Sequence, residues 1–138
     1  MKITVWNEYR HEKVDENVRA IYPDGIHACI AKFLTEAGFD TATATLDMPE
    51  AGLTDEVLNE TDVLFWWGHM AHGEVPDAVV EKVYRRVMDG MGLVVLHSGH
   101  ASKIFQKLCG TDSGTLKWRE SGDREILWVI DQSHPIVQ

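Results

Sequence analysis

At 138 residues, 44% of them hydrophobic and 25% charged, the chain has the composition of one ordinary globular domain, with no low-complexity or disordered stretch. Its 13 basic and 22 acidic residues leave a net charge of −9, which argues against a nucleic-acid phosphate footprint or an anionic membrane surface and leaves a neutral partner such as a sugar open. Two cysteines are too few for a disulfide framework, and the absence of a signal peptide or a run of ~18 apolar residues makes the cytoplasm the expected compartment.

In chain order, Lys2-Ile3-Thr4-Val5-Trp6 reads as a first strand, followed by the polar stretch Asn7-Glu8-Tyr9-Arg10-His11. Residues 12–24 are charged and contain the turn signal Tyr22-Pro23-Asp24-Gly25. Ile26, Ile30, Phe33, Leu34 and Ala37 recur at helical spacing up to Gly38, which closes the helix; Cys29 falls in this apolar pattern and is expected in the core. Thr41 to Thr45 alternates and reads as a strand, and Thr54 caps a short helix through Leu58. Val63 to Trp67 is apolar without alternation, as in a parallel strand covered on both faces, so Trp66 and Trp67 are expected to pack in the core on opposite sides of the sheet. Val79, Val80, Val83 and Val87 mark a helix from near Pro76 to about Gly90. Gly92 to Leu96 is another buried strand, and Ala101 to Leu108 a helix stopped by Gly110, with Cys109 at its end. Residues 110–124 carry no periodicity; Glu125 to Ile130 reads as a fifth strand, and Ser133-His134-Pro135 as a loop. The alternation β-α-β-α-β-α-β-α-β predicts one three-layer α/β domain over residues 1–138, with a mostly parallel sheet and right-handed crossovers. No helix covers the fifth strand, so either a partner caps it, as in a homo-oligomer, or the chain lacks a C-terminal segment.

Four of the seven histidines fall in two H-x-x-H clusters, each directly after an apolar run: His69 and His72 after Val63–Trp67, His97 and His100 after Leu93–Leu96. If the two runs are neighbouring strands about 4.8 Å apart, both clusters open onto the edge where open α/β sheets keep their ligands. Imidazole is the commonest metal ligand, and residues three apart share a face, so His69, His97, His100 and His72 are the candidate ligands of a divalent metal, zinc first. Glu8 and Glu74 are the carboxylates nearest to such a site in sequence. Asn7, Glu8, Arg10 and His11 follow what should be a central strand and line the same crevice. His97, His11 and Glu8 are the candidate catalytic groups, and Asn7, Arg10 and Trp118 the candidate sugar-binding ones, Trp118 as a stacking platform. Ser98 stands where a nucleophile elbow would put its hydroxyl, but Leu96 occupies the first glycine position of that motif, and a serine there more often caps the next helix.

Trp6-Asn7-Glu8-Tyr9-Arg10-His11, Phe65-Trp66-Trp67-Gly68-His69, the strand ending in Leu96-His97, and Ser133-His134-Pro135-Ile136 together resemble the trehalose-utilisation (ThuA-like) family. That family belongs to the class I glutamine amidotransferase-like superfamily. The resemblance implies a flavodoxin-like fold and a role in carbohydrate metabolism, on trehalose, related disaccharides or oxidised sugars. Aligning on Gly99-His100 puts His97 where amidotransferase relatives carry a catalytic cysteine, and neither Cys29 nor Cys109 is near it in sequence. Cysteine-dependent glutamine hydrolysis is therefore not expected. The resemblance also implies a chain that continues past the His-Pro motif. The expected protein is a sugar-metabolism enzyme with a histidine-rich, metal-binding site; the alternative is a non-catalytic sugar-binding or scaffold module that kept the fold and lost the nucleophile.

Overall fold

The computed structural model describes residues 1–112, 121–124 and 126–137. Four strands, β1 (Lys2–Asn7), β2 (Asp40–Thr45), β3 (Val63–Trp67) and β4 (Gly92–Leu96), pair in parallel in the order β2-β1-β3-β4. The helices are α1 (His11–Val14), α2 (Glu16–Ile21), α3 (Ile26–Glu36), α4 (Asp55–Glu60), α5 (Asp77–Met88) and α6 (Lys103–Cys109). One sheet face packs Ile3 and Val5 against Ile30 and Leu34 of α3. The other buries Trp6, Leu64 and Trp66 against Leu58 of α4, Val79, Val80 and Val83 of α5, and Ile104 of α6. This is the expected three-layer, flavodoxin-like arrangement. Among the described residues, no helix is long and apolar enough to cross a membrane.

The heart of the larger core is a pair of indoles. Trp6 and Trp66 are opposite each other in register, their rings stacked 4.0 Å apart, and both are almost wholly buried. Burying an aromatic side chain of about 200 Å² contributes on the order of 5 kcal/mol by transfer from water. Trp6 donates its indole N–H to the Ala51 carbonyl at 2.9 Å, which ties the connection after β2 to the central strand.

Local chemistry sets the helix boundaries. The Asp15 carboxylate accepts the Asn17 and Val18 amides at the start of α2; Thr54 caps α4 and Ser102 caps α6. Gly25 precedes α3 at φ +88°, and a Cβ there would lie 2.4 Å from the His27 ring, so only glycine fits.

Five expectations are corrected. Gly92 to Leu96 does form β4, but none of its residues is buried and Val94 is exposed, because β4 lies at the edge of the described sheet. Residues 12–24 hold most of the two short helices α1 and α2, whose stretches are too short and too charged to show an apolar period. Of the expected fifth strand, residue 125 lies outside the described residues, and Ile126 to Ile130 pair with no strand among the described residues; Trp128 and Ile130 are 85% and 99% exposed. Their β-prone composition expresses itself only where a partner strand is in place. Cys29 is exposed on α3, because Ile30 and Leu34, not Cys29, take the buried side. Trp67 is only half-buried, since at the last position of β3 it has left the helix-covered part of the sheet.

Candidate functional site

The strand register builds the site. Asn7 is level with Trp67, and Trp67 with Leu96, so the loops leaving β1, β3 and β4 emerge side by side at one edge. The β1–β3 ladder runs one residue further, through Glu8 N–H donating to the Trp67 carbonyl at 3.2 Å. As expected, the two histidine clusters follow neighbouring strands.

Around the Trp67 ring stand three imidazoles. His69 lies parallel to it, 6.5 Å between centroids and 5° between planes; His11 lies parallel to His69 at 5.0 Å and 5°. His97 lies 6.1 Å from Trp67, tilted by 32°. His97 sits directly after β4 with φ +41°, in the left-handed region that a β-carbon disfavours. The strand-to-turn elbow therefore projects its imidazole into solvent beside Trp67. Gly99 closes the elbow tightly, since a Cβ there would meet Val95 at 2.8 Å and the Trp66 carbonyl at 3.3 Å.

Glu8 is 1% exposed, and its two carboxylate oxygens accept the Met70 and Ala71 amides at 2.8 and 2.9 Å. It thus fixes the loop that carries His69 and His72. Gly68 makes room for this: a Cβ would lie 3.1 Å from His72 Nδ1 and 3.3 Å from Glu8 Oε2. Burial pushes the His72 pKa down; Glu8 opposes the shift, and the neighbouring His69 and His100 add to it. His72 Nε2 is buried without a hydrogen-bond partner. His100 donates Nδ1–H to the His97 carbonyl at 3.2 Å, which steadies the elbow from below. Ser98 donates its hydroxyl to the Gly68 carbonyl at 2.9 Å, joining the two histidine loops, and the cap of α6 is Ser102. A nucleophilic role for Ser98 finds no support in that contact.

The other sequence-predicted residues are placed differently. Asn7 is fully buried, with every polar hydrogen engaged. Its amide donates to Glu12 Oε1 at 2.8 Å and to His27 Nδ1 at 3.0 Å, while its oxygen accepts the Tyr9 amide at 2.9 Å. Asn7 therefore shapes the turn at Tyr9, where φ is +50°, and is not presented to a ligand. Arg10 is clamped between Asp47 at 2.7 Å and Glu74 at 2.9 Å, and those two hydrogen-bonded carboxylates, Glu74 first, raise its pKa. Lys13 and then Arg10 hold the Asp47 carboxyl below its usual range. Trp118 lies outside the described residues. Among the described residues no three His, Cys, Asp or Glu side chains come together as a metal-holding group; His69, His72, His97 and His100 lie in loops that share one sheet edge.

Three groups escaped the sequence reading: Trp67, and the buried pair Glu12 and His27. Desolvation lowers the His27 pKa against the opposing pull of Glu12 and Asp24. The signal for Trp67 was its place as the last residue of an apolar run just before glycine. Nothing in the charged stretch after His11 marks Glu12 as buried. A separate groove between α5 and α6 is lined by Asp77, Glu81, Lys103 and Lys107, whose charges already pair with one another.

With this geometry in hand, comparison with known families gives one finding: the trehalose-utilisation family (ThuA) matches over residues 2–138, and the chain belongs to that family. No curated protein matches it.

Proposed function

We propose that this trehalose-utilisation protein is an enzyme that acts on a disaccharide or an oxidised sugar at the sheet edge formed by Trp67, His69, His11 and His97. The observation that carries the reading is the set of rings: a half-exposed indole with two parallel imidazoles, beside a third imidazole raised on a left-handed elbow. The apolar C–H face of a pyranose stacks on such rings, and imidazoles exchange protons near neutral pH. His97 and His11 are the proton-transferring groups in this reading. Glu8, buried and committed to two amides, positions His69 rather than reaching the sugar. An imidazole at the elbow cannot form the acyl-thiol of an amidotransferase, which directs the chemistry to proton transfer.

The test is turnover, followed by NMR, of trehalose, other disaccharides and their carbonyl-bearing oxidised forms. One of these should be consumed, and His97→Ala should slow it by about 10²-fold or more, the usual worth of a general acid or base. If none is consumed yet one still perturbs the Trp67 environment, the protein is the non-catalytic sugar-binding alternative, which the missing thiol at the elbow favours. If none is consumed or bound, the sugar reading falls. Elemental analysis of protein purified without a histidine tag decides whether zinc or another divalent metal joins His69, His72, His97 or His100.

A further inference from the structure

Residues 10–24, which hold α1 and α2, contribute nothing to either apolar core. Glu12 is their one buried side chain, and Val14 and Ile21 are exposed. The segment is nevertheless a unit. Arg19 of α2 donates to the Glu12 and Lys13 carbonyls at 3.1 and 2.9 Å, and Asp15 caps α2 while its own amide closes α1. Both ends of the segment turn at a left-handed residue, Tyr9 at φ +50° and Gly25 at φ +88°. The two turns adjoin, since a Cβ on Gly25 would lie 2.9 Å from Tyr9 Cε2. A body hung between two adjoining turns, with no apolar anchor, belongs to the low-stability end of a fold, from which moving elements are drawn.

What holds the segment down is polar. Arg10 bridges Asp47, which follows β2, to Glu74, which follows β3, at 2.7 and 2.9 Å, and Lys13 joins the same Asp47. Glu12 Oε1 accepts the Asn7 side-chain amide at 2.8 Å and the Ile26 N–H at 3.0 Å, but Glu12 Oε2 is buried without a partner among the described residues. An unpaired buried carboxylate oxygen is costly, and it regains water when the segment lifts. His11 rides on the segment and stacks on His69, 5.0 Å between ring centroids. We infer that residues 10–24 are a lid on the sheet edge, that Arg10 latches it by joining the loops after β2 and β3, and that closing is what places His11 on the Trp67–His69 stack. Lifting the lid frees the ring cluster for a ligand, and closing adds the third parallel ring. Arg10 is thus a positioning residue that acts on the site through His11. The proton-transfer role of His11 rests on the sugar-site reading; the lid and its latch do not.

Amide hydrogen exchange on the full chain tests the lid, because the Ile26 N–H of α3 is bonded to Glu12 on the lid. Arg10→Gln removes two part-exposed ion pairs, so Ile26 should exchange about three- to tenfold faster than in the wild type, with the α3 amides of Ile30 and Leu34 unchanged. Raising the salt concentration should speed Ile26 exchange more in the wild type than in Arg10→Gln, since salt weakens the latch that the variant lacks. Ile26 exchange that is blind to Arg10→Gln, or that rises only in step with Ile30 and Leu34, overturns the lid. An equal salt response in the two proteins overturns the latch. For His11 the readout is independent of activity: the His69 ring resonances should move in Arg10→Gln in the direction they move in His11→Ala. A His69 signal blind to Arg10→Gln overturns the placement of His11 by the latch. Where a sugar is turned over, Arg10→Gln should slow it, and His97→Ala should slow it with Ile26 exchange unchanged. Turnover of a sugar with Ile26 blind to Arg10→Gln sinks the lid alone; the expected exchange with no sugar consumed or bound sinks the sugar reading alone.

Discussion

Glu8→Gln separates a positioning role from a catalytic one. In the wild type both carboxylate oxygens accept main-chain amides, Met70 at 2.8 Å and Ala71 at 2.9 Å, with the side chain 1% exposed. A hydrogen bond to a charged group is worth about 1.5–3 kcal/mol net, so the two together contribute roughly 3–6 kcal/mol. Glutamine keeps one oxygen for one amide and turns an NH2 toward the other, so one bond is lost, one is weakened, and a buried N–H is left unpaired. Removing the buried charge recovers part of its desolvation cost, several kcal/mol per ion. The balance is a loss of about 2 kcal/mol. With a urea slope of about 2 kcal/mol/M, the unfolding midpoint followed by far-UV circular dichroism should fall by about 1 M. The amide resonances of Gly68 to His72 should shift, and His72, without the carboxylate that favours its charged form, should titrate lower still. A midpoint within about 0.2 M of wild type, with those resonances in place, refutes the argument that Glu8 holds the histidine loop.

Further outcomes follow from the same geometry. His97→Gly should raise stability by about 0.5–1 kcal/mol in the same urea assay, because glycine relieves the φ of +41°, while sugar turnover falls; a destabilised variant would contradict the strained elbow. Asn7→Ala should cost about 3 kcal/mol or more, because it strands the Tyr9 amide, a Glu12 oxygen and His27 at once; a loss below about 1 kcal/mol would show that the buried triad is not holding the turn. His27 and His72 both have pKa values lowered by burial, so the unfolded chain takes up their protons first. Their stabilisation is therefore present above about pH 6.5 and lost as pH falls from there through the folded values. Tm should drop between pH 7.5 and pH 5, and the drop should shrink in His27→Gln; a Tm flat across that range would count against both shifts.

The sequence determined the layered α/β plan by itself, and for a physical reason. Val63–Trp67 is apolar on both faces, as suits a strand between two helical layers, and Ile26, Ile30 and Leu34 repeat at the period of the helix that supplies one of them. That the histidine clusters share one edge was equally legible, because parallel strands put all their following loops on one edge, and the histidines sit in those loops. The residues' roles were not legible. Whether a polar side chain meets a ligand or a neighbour depends on contacts distant in sequence: Glu8 with Met70 and Ala71, Arg10 with Asp47 and Glu74, Ser98 with Gly68. The same holds for Ile126–Ile130, whose composition proposes a strand that only pairing can make. Local pattern fixes which surfaces must be covered; the tertiary structure alone decided which carboxylate, amide or imidazole remains free, because hydrogen bonds between loops carry no sequence period.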